Sequence, residues 1–118
     1  MKRAEESLEA HENTFRRAVK AGVKIIAGSD YAPQPAAGHC ELGFMVRAGM
    51  SPWQAIVAST QTIADAVGLT DQLGSVEAGK WADLIAVAKD PLADIRHLRE
   101  PMLVMRGGAV AVNQLTRA

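Results

Sequence analysis

The residue best placed to do chemistry in this sequence is Asp30. It closes the tripeptide Gly28-Ser29-Asp30, directly after the apolar run Val23-Lys24-Ile25-Ile26-Ala27. The pattern reads as a buried strand that stops at an acid. In a barrel of parallel strands the reacting groups gather at the C-terminal strand ends. A carboxylate there can ligate a metal or act as a general base. The plainer alternative is an Asp that opens a turn after a strand. One carboxylate is not an active site, because a zinc centre normally takes three or four protein ligands.

Few other residues add to it. Tyr31 follows Asp30 directly and could line a pocket. His39 falls in the loop or first helical turn beyond Asp30, where it could touch substrate or serve as a surface or capping residue. His11 lies on or beside the apolar face of the first helical pattern, and His97 sits in the charged segment Asp94-Ile95-Arg96-His97-Leu98-Arg99-Glu100; both read as structural or solvated. Cys40 beside His39 suggests a nucleophile pair, but adjacent residues on a helix do not face each other. Trp53 and Trp81 read as packing residues. No phosphate loop, Ser-His-Asp order or paired carboxylate site stands out.

The elements that must hold these residues follow from periodicity and caps. Residues 2–21 predict an amphipathic helix with Leu8, Phe15, Ala18 and Val19 on one face. Its acids lead and its bases follow, which complements the helix dipole. Glu12 and Arg16 are spaced as an i,i+4 pair, and Gly22 is a natural C-terminal cap. Val23 to Ala27 predict a strand covered on both faces. The prolines and glycine of residues 31–38 predict a loop. Residues 39–49 predict a short helix with Leu42, Met45 and Val46 inward. Ser51-Pro52-Trp53-Gln54 combines a cap, a first-turn proline and a capping box. It opens a helix running to Val67 with Ile56 and Ile63 inward, which Gly68 ends. Beyond it the composition becomes turn-rich. Leu84 to Ala88 predict a strand that Asp90-Pro91 breaks, and Asp94 to Arg99 a helical turn. Residues 102–105 and 109–112 predict two strands around a Gly107-Gly108 hairpin turn. A boundary near residues 68–72 divides an α/β part, residues 1–70, from a small β part, residues 71–118.

Composition excludes several classes. The chain has 118 residues, against roughly 250 for a complete eight-stranded α/β barrel. Its 13 basic and 13 acidic side chains balance. No basic stripe offers nucleic acid an electrostatic footprint. Cys40 is the single cysteine, so there is no intrachain disulfide and no zinc-binding cysteine pair. No apolar run approaches the roughly 20 residues of a membrane span, and the charged start has no signal-peptide core. A cytoplasmic setting is the default expectation.

The order of motifs resembles the C-terminal end of a metal-dependent amidohydrolase, in the branch of imidazolonepropionase and the X-Pro dipeptidase-like enzymes. Ala21-Gly22-Val23-Lys24-Ile25 with Gly28-Ser29-Asp30 resembles the family's eighth barrel strand, which usually ends Gly-Thr-Asp. Glu41-Leu42, Ala48-Gly49-Met50-Ser51-Pro52, Ala55, Thr60, Ala64 and Gly68-Leu69 resemble the helices that follow. Gly74-Ser75-Val76-Glu77-Ala78-Gly79-Lys80, Ala82-Asp83-Leu84, Asp90-Pro91-Leu92 and Val104 to Gly108 resemble the return to a small β-sandwich. Ser29 replaces the usual Thr, and the loop after Asp30 lacks the family's common Pro-His-Gly-x-Asn form.

The resemblance implies an α/β architecture: the C-terminal fragment of a (β/α)8 barrel plus strands of a composite β-sandwich. It implies hydrolysis of amide, cyclic amide or dipeptide bonds through a metal-activated water. Asp30 would be a ligand of a divalent metal, with zinc the first expectation, and would take the proton of the attacking water. The family's remaining ligands, a His-x-His pair, a bridging Lys or Glu and two further histidines, have no counterpart here. None of His11, His39 and His97 matches those positions. Asp83 would belong to the sandwich, in a turn and backbone hydrogen bonding. The expectation is therefore an amidohydrolase fragment, inactive and without bound metal when isolated, completed by a missing barrel chain. The alternative is a non-catalytic self-associating module, since an unpaired strand edge invites another chain.

Overall fold

The computed structural model describes residues 2–29 and 37–115, with side chains from residue 40 onward in the second stretch. Among these residues four helices come first, and a three-stranded antiparallel sheet follows. The helices are α1 (Lys2–Lys20), α2 (Ala37–Arg47), α3 (Pro52–Ser59) and α4 (Gln61–Ala66). The strands are β1 (Leu84–Val87), β2 (Pro101–Arg106) and β3 (Ala109–Asn113), with a 3-10 helix, Ile95–Arg99, between the first two.

The helix ends follow their caps. At the end of α1 the Val23 N–H donates to Ala18 O and the Gly22 N–H to Val19 O, both at 3.1 Å. With Gly22 at φ 71° this is a Schellman closure, which satisfies carbonyls that the helix leaves orphaned. At the start of α3 the Gln54 N–H donates to Ser51 Oγ at 3.1 Å and the Ser51 N–H to Gln54 Oε1 at 2.8 Å. This reciprocal box is the one that the sequence predicts.

The single helix predicted to run to Val67 is two helices. Thr60 breaks it, with φ −129° and ψ −85°. Ser59 Oγ and Thr60 Oγ1 both donate to the Ile56 carbonyl, at 2.9 and 2.7 Å. Hydroxyls that bond back one turn compete with the backbone ladder and bend helices. The returning chain fills the corner. A Cβ added at Gly74 would lie 2.8 Å from Ala64 Cβ and 3.0 Å from Gln61 Cα. Only a residue without a side chain approaches that closely.

The core is small and lies between α2, α3 and the 3-10 helix. Leu42, Met45, Ala55, Ala58 and Ile95 are buried, with Phe15, Ile25, Ala27, Val46, Met50, Ile56 and Leu98 packed against them. Its alanines, Ala55 and Ala58, both come from α3. Ile56 and Ile63, predicted to be buried, are half-buried, and Ile56 packs against the core. Leu8, predicted on the packed face of α1, is exposed, and only Phe15, Ala18 and Val19 of that stripe are partly covered. Trp53 and Trp81, read as packing residues, are 62% and 58% exposed. The predicted Glu12–Arg16 pair is replaced by a longer reach. Glu12 accepts from Arg47 of α2, and Arg16 turns to Asn13.

The sheet has the order β1-β2-β3. Leu84 pairs with Met105 and Ile85 with Val104, while Val104 also faces Val112 across β2 and β3. Gly107 and Gly108 turn the hairpin at φ 56° and 82°, the two positive values of a type I′ turn. The Gly107 N–H donates to Asp83 Oδ1 at 2.6 Å and the Gly108 N–H to Ala82 O at 3.1 Å. Asp83 therefore ties the turn to the base of β1, as expected of it.

The clearest departure is Val23 to Ala27. These residues join no sheet, and Val23, Lys24 and Ile26 are exposed. A strand needs ladder partners, and the described residues supply none beside it. The whole chain is correspondingly open. Its radius of gyration is 16.0 Å, against about 13–14 Å for a compact chain of this length. Its accessible surface is 8817 Å², about 2,600 Å² above the value usual for a monomer of its mass.

Candidate functional site

The route to Asp30 is well defined up to Ser29. The closure at Gly22 reverses the chain out of α1, and the segment then runs along the helices. The Ala27 N–H donates to Ala58 O at 3.2 Å, fastening the segment to the end of α3. Ile25 and Ala27 turn towards the core, while Lys24 turns outward to Asp65 of α4 at 2.5 Å. Asp30 and Tyr31 lie outside the described residues. His39 falls in the first turn of α2, and its side chain also lies outside them.

His97, Cys40 and Asp94 make contacts within the fold. His97 Nδ1 is 2.7 Å from the Asp90 carbonyl. A carbonyl can only accept, so the ring carries its proton there. Cys40 Sγ accepts from Arg99 Nη2 at 3.7 Å, a contact between α2 and the 3-10 helix. Asp94 caps that 3-10 helix through the Arg96 N–H at 2.9 Å and also holds the Arg96 guanidinium at 2.6 Å. The Arg96 side chain, then its backbone N–H, hold the Asp94 carboxyl well below the ordinary carboxylate range.

Ser75, Glu77 and Lys80 form a cluster that sequence reasoning treated only as a matching motif. Lys80 Nζ donates to Ser75 Oγ at 2.5 Å and lies 3.2 Å from Glu77 Oε1, and the Ser75 hydroxyl donates to Glu77. The hydrogen bond from Ser75, and then that from Lys80, hold the Glu77 carboxyl below its ordinary value. The Ser75 hydroxyl is directed at Glu77 and not at Lys80, which is not the arrangement of a nucleophile and its base. The triangle is a staple for the turn that carries Gly74. The serine, acid and lysine at i, i+2 and i+5 were legible, but their closure on one another needed the turn.

A groove of about 450 Å³ opens between α1 and α2. Leu8, Phe15, Phe44 and Met45 give it apolar walls, and the Glu12–Arg47 pair crosses it, with Arg47 5.0 Å above the Phe44 ring. His11 stands on its rim. Its polar residues offer no nucleophile with an adjacent base. Among the described residues, no three His, Cys, Asp or Glu side chains gather into a group able to hold a metal ion. They do not by themselves fit the divalent metal that the resemblance implies. Also among the described residues, no helix is long and apolar enough to cross a membrane.

Comparison with known proteins gives these features a frame. The sequence model of the Amidohydrolase family matches residues 1–111, and the chain belongs to that family. It is 41% identical to the ochratoxinase of Aspergillus niger over 99 residues, which are 81% of this chain and 20% of the relative. It is 32% identical to the imidazolonepropionase of Symbiobacterium thermophilum over 81 residues, 62% of this chain and 18% of that protein. Among solved structures it resembles a Xaa-Pro dipeptidase with bound methionine in the active site. There the TM-score is 0.81 at 38% identity, over 86% of this chain and 25% of that one. The chain thus spans about a fifth of the length of the curated relatives it matches.

Proposed function

We propose that this chain is the C-terminal part of a hydrolase of carbon–nitrogen bonds in small amides, cyclic amides or dipeptides. The supporting observation is its likeness to one quarter of a Xaa-Pro dipeptidase, at a TM-score of 0.81. In this reading residues 1–70 are the closing helix, strand and helices of a (β/α)8 barrel. Residues 71–118 are the C-terminal share of a β-sandwich. Val23 to Ser29 is then a barrel strand whose neighbours belong to the rest of the protein, which accounts for its exposed apolar side chains.

Asp30 would stand at the strand's C-terminal end, where a carboxylate can hold a divalent metal, zinc first, or a proton of the reacting water. Tyr31 and His39 would line the mouth. The other metal ligands would come from outside this chain, so the chain alone would neither retain metal nor turn over substrate. A zinc ion held there by a full ligand set would supply Lewis acidity.

Two assays test this. The isolated chain, with or without zinc or manganese, should hydrolyse amides and dipeptides no faster than buffer. A chimera of the Aspergillus niger ochratoxinase, with its matched stretch replaced by this sequence, should keep that enzyme's activity and lose it on Asp30→Asn. A folded, active chimera indifferent to Asp30→Asn would end the assignment of Asp30.

A further inference from the structure

We infer that the corner at Thr60 positions the segment Val23–Ser29, with Ser59 and Thr60 acting on it through the Ala58 carbonyl. In an unbroken helix Ala58 O would accept from the Thr62 N–H, one turn on. Here the ladder stops at the corner. The Thr60 N–H takes Val57 O at 3.2 Å, one residue short of the α-helical reach, and the Ala64 N–H takes Thr60 O at 3.1 Å. Ala58 O accepts instead from the Ala27 N–H, at 3.2 Å. The break in the helix thus supplies the acceptor that fastens the segment.

The two hydroxyls keep the break open. With the Thr60 N–H moved to Val57, the Ile56 carbonyl loses its own helical donor. Ser59 Oγ and Thr60 Oγ1 replace that donor at 2.9 and 2.7 Å, so the break does not orphan the carbonyl. A second tie comes from beyond the corner, where Asp65 of α4 meets Lys24 Nζ at 2.5 Å. Both of its side chains are at least half exposed, and exposed ion pairs contribute little. The Ala27–Ala58 bond joins a partly covered residue to a buried one and is the firmer tie. The segment leads to Asp30, so the catalytic meaning of the tie rests on the hydrolase reading. There a misplacement of about 1 Å can cost roughly a hundredfold in rate. Ser59 and Thr60 are then positioning residues, which act through the backbone and not on substrate.

Amide exchange and kinetics test this together. In the isolated chain, Ser59→Ala with Thr60→Val removes both hydroxyls, and the helix can run on until Thr62 reclaims Ala58 O. Hydrogen exchange at the Ala27 amide should then quicken at least tenfold. Thr60→Val alone, the milder change, should quicken it by a smaller factor. Ser59→Ala with Thr60→Ser keeps one hydroxyl and should hold the slow rate. Adding Thr62→Pro to the double loss removes the rival donor within the first turn of α4, where proline is tolerated, and should restore the slow rate. Ser51→Ala, which loosens α3 at its other end, should leave Ala27 as it was. In the ochratoxinase chimera the double loss should lower kcat at least tenfold with KM within twofold, and the variant that keeps one hydroxyl should recover kcat. An Ala27 amide that is unprotected in the parent, or indifferent to both hydroxyls, overturns the inference. So does a freed Ala27 amide with kcat unchanged. A parent chimera without activity would count against the hydrolase reading, while exchange at Ala27 would still uphold or overturn the tie.

Discussion

Arg47 and Glu12 bind α1 to α2, with Arg47 Nη2 and Nε donating to the same Glu12 oxygen at 2.7 and 3.1 Å. The pair bridges the groove between the two helices, and the guanidinium also lies over Phe44. Arg47 is more than half exposed, so the ion pair itself is worth less than about 1 kcal/mol. Glu12→Gln should lower the urea midpoint slightly at low salt and less at 1 M salt, where screening already weakens the pair. An equal loss at both salt concentrations would mean that packing, not charge, holds α1.

Ser51→Ala removes the acceptor for the Gln54 N–H and unpairs the capping box. The loss should be about 1 kcal/mol in urea unfolding, the usual size of an N-cap. Ser51→Asp should recover most of it, since a carboxylate accepts the same bond.

Gly74→Ala sets a new methyl against Ala64 and Gln61 in addition to straining a backbone at φ +95°. Gly79 has nearly the same φ, +93°, with nothing within 4 Å of an added Cβ. Gly79→Ala should therefore show backbone strain alone, about 1–2 kcal/mol. Gly74→Ala should cost a further 1–3 kcal/mol or so for overpacking. Equal losses would place the helix corner elsewhere.

Asp94 titrates lower in the folded chain than in the unfolded one, because Arg96 binds its charged form. A depressed carboxylate stabilises the fold above the unfolded value of about 3.9, and that contribution fades as pH falls below it. Urea midpoints should drop from pH 5 to pH 2. Asp94→Asn should flatten part of that drop, and Glu77, held down by Ser75 and Lys80, should still contribute to what remains. An unchanged slope in Asp94→Asn would show that the Arg96 contact does not persist in solution.

Much of this architecture was legible because its signals are local. The Ser51-Pro52-Trp53-Gln54 start, the glycine after α1 and the Gly107-Gly108 turn each depend on residues whose backbone requirements are met within a few positions. The motif order also carried the family, because such local features recur in a fixed sequence. What only tertiary structure decided was non-local. Glu12 chose Arg47, 35 positions away, over Arg16 on its own helix, since α2 brings a second cation alongside. The corner at Thr60 is filled by Gly74, which arrives against it from 14 positions away. The apolar run at Val23 has the composition of a buried strand, but burial and ladder pairing are properties of neighbours. Composition states that such a segment needs partners; only the fold shows that the described residues of this chain do not provide them.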